Sequence, residues 1–168
     1  PYLNITCITH RKNPIYNAFL SQFPPSESSK LRQVGIEAAL HKFLKHDCNI
    51  SGILDVASHE SCGSQAYIVI RMKKSFPSEA WQALNGAVAF GPGIGKFIIA
   101  VDEDIDPWDA ESVNWALSFR VQPHLDTRIT MGKESHLDPS SSPPADPQCY
   151  PPPNGCSAML INATMKWP

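Results

Sequence analysis

The sequence is short of net charge, of long apolar runs and of patterned cysteines, and each shortage excludes a class of function. Lys and Arg number 14 against 16 Asp and Glu, a formal charge of −2 and a pI near 6.3, with the basic residues scattered along the chain. A nucleic-acid surface needs a concentrated basic footprint, so no nucleic-acid partner is expected. No stretch approaches the roughly 20 apolar residues that span a bilayer, and no charged-then-apolar leader opens the sequence. The expectation is a soluble, cytoplasmic protein without a membrane partner. The five cysteines, Cys7, Cys48, Cys62, Cys149 and Cys156, are an odd number in a chain large enough to need no covalent staples. They read as reduced thiols. Asn4, Asn49 and Asn162 each open a glycosylation pattern, but the motif is short, arises by chance and matters only in a secretory chain.

What is present fits one domain. A chain of 168 residues, 42% apolar, can build one α/β core and is too short for two ordinary ones, so residues 1–168 are expected to form a single domain. Tyr2 to Thr9 reads as a strand. A core strand this close to Pro1 suggests a chain cut from something longer, because free termini usually fray. A polar loop, His10 to Pro25, leads to a helix from Ser26 to His46, where Ser26 can cap and Ile36, Leu40, Phe43 and Leu44 recur at helical spacing. Strands are expected at Gly52 to Ala57 and Gln65 to Met72, a helix at Pro77 to Phe90, and strands at Thr127 to Met131 and Ser157 to Ile161. Between the last two, Gly132 to Gly155 is so rich in proline that neither ladder nor helix can continue, and it reads as a long surface loop. There is no internal repeat. The alternation predicts an α/β fold: a three-layer domain with a mainly parallel sheet and helices on both faces, with ligands gathering beyond the carboxyl ends of the strands.

The most informative stretch is Lys96 to Asp126, KFIIAVDEDIDPWDAESVNWALSFRVQPHLD. Phe97 to Val101 is continuously apolar, which marks a strand covered on both faces. Asp102, Glu103, Asp104 and Asp106 follow at its carboxyl end. Asp106 can cap a helix with Pro107 at its first position and Asp109 in its first turn. Val113, Ala116, Leu117 and Arg120 then share one helical face.

Four constellations imitate chemical sites. Gly91, Gly93, Gly95 and Lys96 resemble a phosphate loop, yet Phe90 and Phe97 stand where glycine and hydroxyl belong, and the glycines precede a strand instead of a helix; a flexible connection is expected. The acidic set Asp102, Glu103, Asp104, Asp106 and Asp109 could supply oxygen ligands, but Pro107 and Val113 occupy the positions where a calcium loop needs glycine and glutamate. Helix capping and solvated charge account for most of it, with a role in ligand or interface contacts left open. His46 with Cys48, and His59 with Cys62, lack the second pair that zinc requires. No metal site is expected. His10, Arg11 and Lys12, just past the first strand, could recognise an anion, Arg11 through a bidentate fork, or could equally be a solvated loop.

Lys96 to Asp126 resembles the UbiD-type carboxy-lyases, which remove carboxylate from aromatic or α,β-unsaturated acids with prenylated flavin mononucleotide. ITHRKNPIY (Ile8 to Tyr16), PPSES (Pro24 to Ser28), MKK (Met72 to Lys74), LDPS (Leu137 to Ser140) and INATMKWP (Ile161 to Pro168) are similar to further blocks of that family, in family order. All of them resemble its C-terminal domain. In the family, the flavin cradle, its metal ion and the Glu-Arg-Glu network lie upstream of the block that starts this chain. The resemblance therefore implies no catalytic residue here and no cofactor bound by this chain alone, with prenylated FMN and a metal ion belonging to the full-length enzyme.

What the resemblance implies instead is a C-terminal domain that assembles with other copies, as a homodimer or higher homo-oligomer, and closes the active site against the flavin-binding domain of the same enzyme. Thr9, His10 and Arg11 at the end of the first strand, and Leu137, Asp138 and Pro139 in the LDPS block, are the implied cleft or interface residues. Asn162 departs from the aspartate common in the family's closing block, and Met165 from its arginine, proline or asparagine, which weakens an electrostatic role for that end. The family usually continues into a helix past Pro168. The alternative is a free-standing domain with a binding role or a flavin-independent reaction, since fold does not fix function.

Overall fold

The computed structural model describes residues 2–18, 26–133, 140 and 156–166. Its elements run in the order α1 (Glu27–Lys42), extended by a π turn at Phe43–Asp47, β1 (Ile53–Ser58), β2 (Tyr67–Met72), α2 (Glu79–Phe90), β3 (Phe97–Asp102), α3 (Ala110–Arg120), a short turn of helix α4 (Pro123–Asp126), β4 (Thr127–Lys133) and β5 (Cys156–Ala163). The strands form one sheet in the order β1-β2-β3-β5-β4.

The sheet is parallel through its centre, β2 with β3 and β3 with β5, and antiparallel at both edges, β1 with β2 and β4 with β5. The α/β class holds, and the edge strands qualify the parallel arrangement. A short connection, His59 to Ala66, can only turn β2 back on β1, whereas the path from β2 to β3 crosses over through α2. Helices cover both faces. Ile68, Ile70, Met72, Ile98, Ala100 and Leu160 point to one side, against Leu40, Leu44, Ala80 and Leu84 of α1, its π turn and α2. Val69, Ile99, Val101 and Ala163 point to the other, against Val113 and Ala116 of α3. The continuous apolar run of β3 is explained by this double cover.

Connections that the sequence left loose are fixed. Gly95 has φ +77, and a Cβ there would stand 2.6 Å from the Ile98 side chain. Only glycine fits such a turn. The Gly95 and Lys96 N–H groups donate to the Gln65 and Ala66 carbonyls at 2.7 and 2.8 Å, so the segment expected to be flexible is a hydrogen-bonded entry into β3. At the other end of the sheet the Glu79 carboxylate, 2% exposed, accepts from the Gly52 and Ser75 N–H groups at 3.1 and 2.6 Å. It ties α2 to the loops around β1 and β2, where Gly52 packs too closely for a side chain.

The clearest departure from expectation is at the start. Residues 2–18 form no helix or strand and all are exposed. Strand propensity in Tyr2 to Thr9 is not enough, because an isolated strand has no ladder partner and no face to bury. The loop at Gly132 to Gly155 lies almost wholly outside the described residues.

Candidate functional site

The carboxyl ends of β2, β3 and β5 lie side by side, the position where open α/β sheets gather their ligands. Three sequence segments meet there: Lys73 and Lys74 after β2, Asp102 to Asp106 after β3, and Thr164 to Lys166 after β5. Arg120 closes the cluster from the last turn of α3.

The turn after β3 forms because Ile105, 5% exposed, drops into the core while its N–H donates to the Asp102 carbonyl at 3.2 Å. Asp106 Oδ1 accepts from the Trp108 N–H at 2.9 Å, fixing the turn without capping the helix. The cap is Asp109, whose carboxylate accepts from the Glu111 and Ser112 N–H groups at 3.3 and 3.1 Å and from the Ser112 hydroxyl at 2.5 Å. The helix therefore starts at Ala110, beyond the start expected at Pro107. These hydrogen bonds, first that from the Ser112 hydroxyl, hold the Asp109 carboxyl below its usual range.

Arg120 is the hub. Its guanidinium forks onto Asp104 at 2.9 and 2.5 Å and reaches Asp102 Oδ2 at 3.0 Å, with its side chain only 8% exposed. Hydrogen bonding from Arg120 holds the Asp104 carboxyl below its usual range, and Asp104 in turn raises the arginine. Asp102 also accepts from the Met165 N–H at 2.5 Å and faces the Lys74 ammonium at 3.7 Å. Lys74 donates to the Thr164 hydroxyl at 2.8 Å and the Met165 carbonyl at 2.6 Å. That hydroxyl donates to Asn162 Oδ1 at 2.7 Å. Lys73 pairs with Glu103 at 3.2 Å, and Lys166 with Asp126 at 3.2 Å.

The acidic run is thus matched cation for cation. Lys73, Lys74 and Arg120 answer Glu103, Asp102 and Asp104, and Asp106 stands apart as a turn residue. Among the described residues no three His, Cys, Asp or Glu side chains gather as a metal could use. The arrangement locks three strand ends and a helix into one frame, which gives two open clefts fixed walls. One, of about 410 Å³, runs between Lys73, Lys74 and Asp104; the other, of about 580 Å³, is walled by Phe119, Leu125, Met165 and Lys166.

The remaining expected residues lie elsewhere. Thr9, His10 and Arg11 are exposed and not at a strand end; the His10 Nδ1 interaction is with the adjacent Arg11 carbonyl, at 2.7 Å. Leu137, Asp138 and Pro139 lie outside the described residues. Sequence reasoning did not single out Lys74, Thr164 and Lys166 as parts of the cluster. Their signal was positional: each follows a strand that pairs directly with β3, at whose carboxyl end the acidic run stands.

Residues 30–163 match the model of the 3-octaprenyl-4-hydroxybenzoate carboxy-lyase C-terminal domain. An uncharacterized protein of Archaeoglobus fulgidus is 28% identical over 99% of this chain and 33% of its own length. Among solved structures, the UbiD-class enzyme HmfF of Pelotomaculum thermopropionicum, in complex with FMN, is 25% identical with a TM-score of 0.71 over 84% of this chain and 30% of that one. Vanillic acid decarboxylase of Sedimentibacter hydroxybenzoicus in its closed form is 28% identical with a TM-score of 0.70, covering 95% of this chain and 32% of that one. The chain thus spans about a third of the length of the relatives it matches. The matched family model, a fold shared at this level and the mixed sheet together establish that the chain belongs to the C-terminal-domain family of the UbiD-type carboxy-lyases.

Proposed function

We propose that this domain is the C-terminal part of a UbiD-type non-oxidative decarboxylase of aromatic or α,β-unsaturated carboxylic acids, where it serves assembly and closure of the active site. The observation that carries the reading is the family match over residues 30–163. Support for the substrate class comes from the similar vanillic acid decarboxylase and from the 3,4-dihydroxybenzoic acid decarboxylase of Klebsiella pneumoniae, 25% identical with a TM-score of 0.69. Support for closure comes from the vanillic acid enzyme, known in an open and a closed form.

The strand-end cluster does not fit a flavin phosphate. A phosphate site needs uncommitted cations or helix N-terminal amides, and here Arg120, Lys73, Lys74 and Lys166 are each engaged by carboxylates. We therefore assign prenylated FMN and its metal ion to the flavin-binding part of the full-length enzyme. The cluster's task is mechanical: it keeps strand ends and α3 rigid, so that the domain moves as one body. Thr9, His10 and Arg11, with Leu137, Asp138 and Pro139, are the residues proposed to face the cleft. Exposed apolar side chains, Leu31 and Val34 on α1 and Phe119, Leu125, Ile129 and Met131 on the opposite side of the order, support association with further copies, most simply as a two-fold dimer.

The test is carbon dioxide release from a panel of benzoic and cinnamic acids by the whole gene product and by the 168-residue chain. Turnover by the former and none by the latter is expected. Turnover by the isolated chain, or inertness of a flavin-loaded whole product toward every acid, would remove the reading.

A further inference from the structure

β4 ends on a bulge that buries a charge. Ile129 and Met131 alternate onto one face of the sheet, 64 and 57% exposed, and in a regular strand Lys133 would follow them into water. Gly132 prevents this. With φ +83 it sits at a break in the register, where Met131 pairs with Ser157 and Lys133 with Cys156, so one extra residue enters β4 and the alternation reverses. Lys133 therefore turns to the α2 face, where it is 8% exposed. Its ammonium donates to the Val88 and Gly91 carbonyls at 3.1 and 2.6 Å.

Buried cations are ordinarily matched by anions. Among the described residues no Asp or Glu pairs with Lys133, and the ionisable group that acts on it is the Cys156 thiol. The two carbonyls answer only part of the charge, because the end of a helix carries about half an elementary charge. Cys156 stands on the same face as the ammonium: it alternates with Ala158 and Leu160 along β5, and Leu160 lies in the core that α2 covers. Directly opposed residues of an antiparallel pair hold their Cβ atoms roughly 4.5 to 5.5 Å apart. The thiol is half-buried, and its contact with the Ser157 carbonyl is long, 3.9 Å. A partly exposed thiol beside a cation is the setting in which the thiolate gains population.

We propose that Cys156 is a modification site for peroxides and other soft electrophiles, its thiolate stabilised by the Lys133 ammonium across the pair of β4 with β5. A unit charge one cross-strand pair away, partly offset by the helix end, raises the thiolate share by about tenfold. With hydrogen peroxide the thiolate sulfur attacks one peroxide oxygen. An S–O bond forms and the O–O bond breaks, sulfur gives up two electrons, and the second oxygen leaves as hydroxide that solvent protonates to water. Cysteine sulfenic acid is the product. The site lies within this domain's own sheet and is independent of the decarboxylase reading.

Timed alkylation of the 168-residue chain with iodoacetamide at pH 7, read thiol by thiol by peptide mass spectrometry, tests this. Cys7, Cys48 and Cys62 are exposed and serve as controls within the same molecule. Cys156, although less accessible, should label about tenfold faster than they do, and in urea the four should label alike. Lys133→Met should bring Cys156 down to the control rate or below it, while Lys133→Arg, which keeps the charge, should retain most of the excess. Limiting hydrogen peroxide followed by dimedone should mark Cys156 before the exposed thiols. Labelling of Cys156 no faster than the controls in the native chain overturns the proposal, whatever the variants do. So does an excess that persists in urea or in a folded Lys133→Met chain, or a dimedone adduct that appears on the exposed thiols first.

Discussion

Replacing Arg120 by alanine should loosen the frame at the strand ends, and the structure bounds by how much. The fork to Asp104 meets a carboxylate whose side chain is 55% exposed, so solvent screening limits that pair to about 0 to 1 kcal/mol. The bond to Asp102, whose side chain is 16% exposed, is charge-assisted and partly desolvated, worth about 1.5 to 3 kcal/mol. Asp102 keeps Lys74 and the Met165 N–H, so it is not stranded, and the larger cost of breaking a fully buried pair does not apply. Loss of the guanidinium over the Trp115 ring, 5.1 Å away, adds about 0.5 kcal/mol. Together these give about 2 to 4 kcal/mol, or a fall in melting temperature of roughly 5 to 15 °C for a domain of this size. Arg120→Lys should recover part of that, since the charge remains and the fork is lost. The pH dependence carries a sign. Asp104 titrates lower in the fold than in the unfolded chain, so its contribution is complete above its usual value of 3.8 and drains away as pH falls through the lower folded value. Between pH 5 and 8 the Arg120→Ala deficit should therefore be flat, and it should narrow below about pH 4. Differential scanning calorimetry of both variants is the assay. Melting of Arg120→Ala within about 2 °C of wild type would refute the hub assignment.

Glu79→Ala should cost about 1.5 to 3 kcal/mol, because the buried N–H of Gly52 loses a charged acceptor and the part-buried N–H of Ser75 loses it too; Gly52→Ala should be comparably harmful, with its Cβ placed 2.6 Å from the Lys73 carbonyl, and urea midpoints check both. Lys133 donates to the Val88 and Gly91 carbonyls at 3.1 and 2.6 Å, closing the end of α2, while burial pulls its ammonium below the ordinary lysine value of 10.5. Since the unfolded chain then binds more protons, this group makes stability rise as pH climbs through the folded value toward 10.5, and Lys133→Met should abolish that rise in pH-dependent unfolding. Arg11→Ala should leave the melting temperature of the isolated chain unaltered, its side chain lying in solvent, yet in the whole enzyme both Arg11→Ala and Arg11→Lys should lower kcat/KM by roughly ten- to a hundredfold if the fork acts at the transition state.

How much of this could be read from the sequence depended on whether a residue's partner was near it in the chain. The strand read at Phe97 to Val101, buried from Ile98 to Val101, was legible because continuous apolarity reports double cover regardless of which elements provide it, and the helical face of Val113, Ala116 and Leu117 because its period is local. The first strand misled for the complementary reason: Tyr2 to Thr9 has the propensity of a strand, but propensity does not say whose sheet it joins. The helix start moved from Pro107 to Ala110 because two aspartates competed to cap, and burial of Ile105 with the Asp106 turn decided for Asp109. The neutral character of the acidic run was hidden altogether. Lys74 reaches Asp102 only through the parallel pairing of β2 with β3, and Arg120 only through the packing of α3 back onto the sheet.

The central claim is that the reaction belongs to the flavin-binding part and that this domain closes over it. Deleting residues 26–168 from the whole gene product tests that claim most directly. Flavin content by absorbance and mass spectrometry, read beside the decarboxylation rate, should show near-stoichiometric flavin with turnover reduced by about a thousandfold or more, the scale expected when water is no longer excluded and the substrate is no longer held. Turnover close to that of the whole product, or flavin that follows the excised domain instead of the part left behind, would contradict the account.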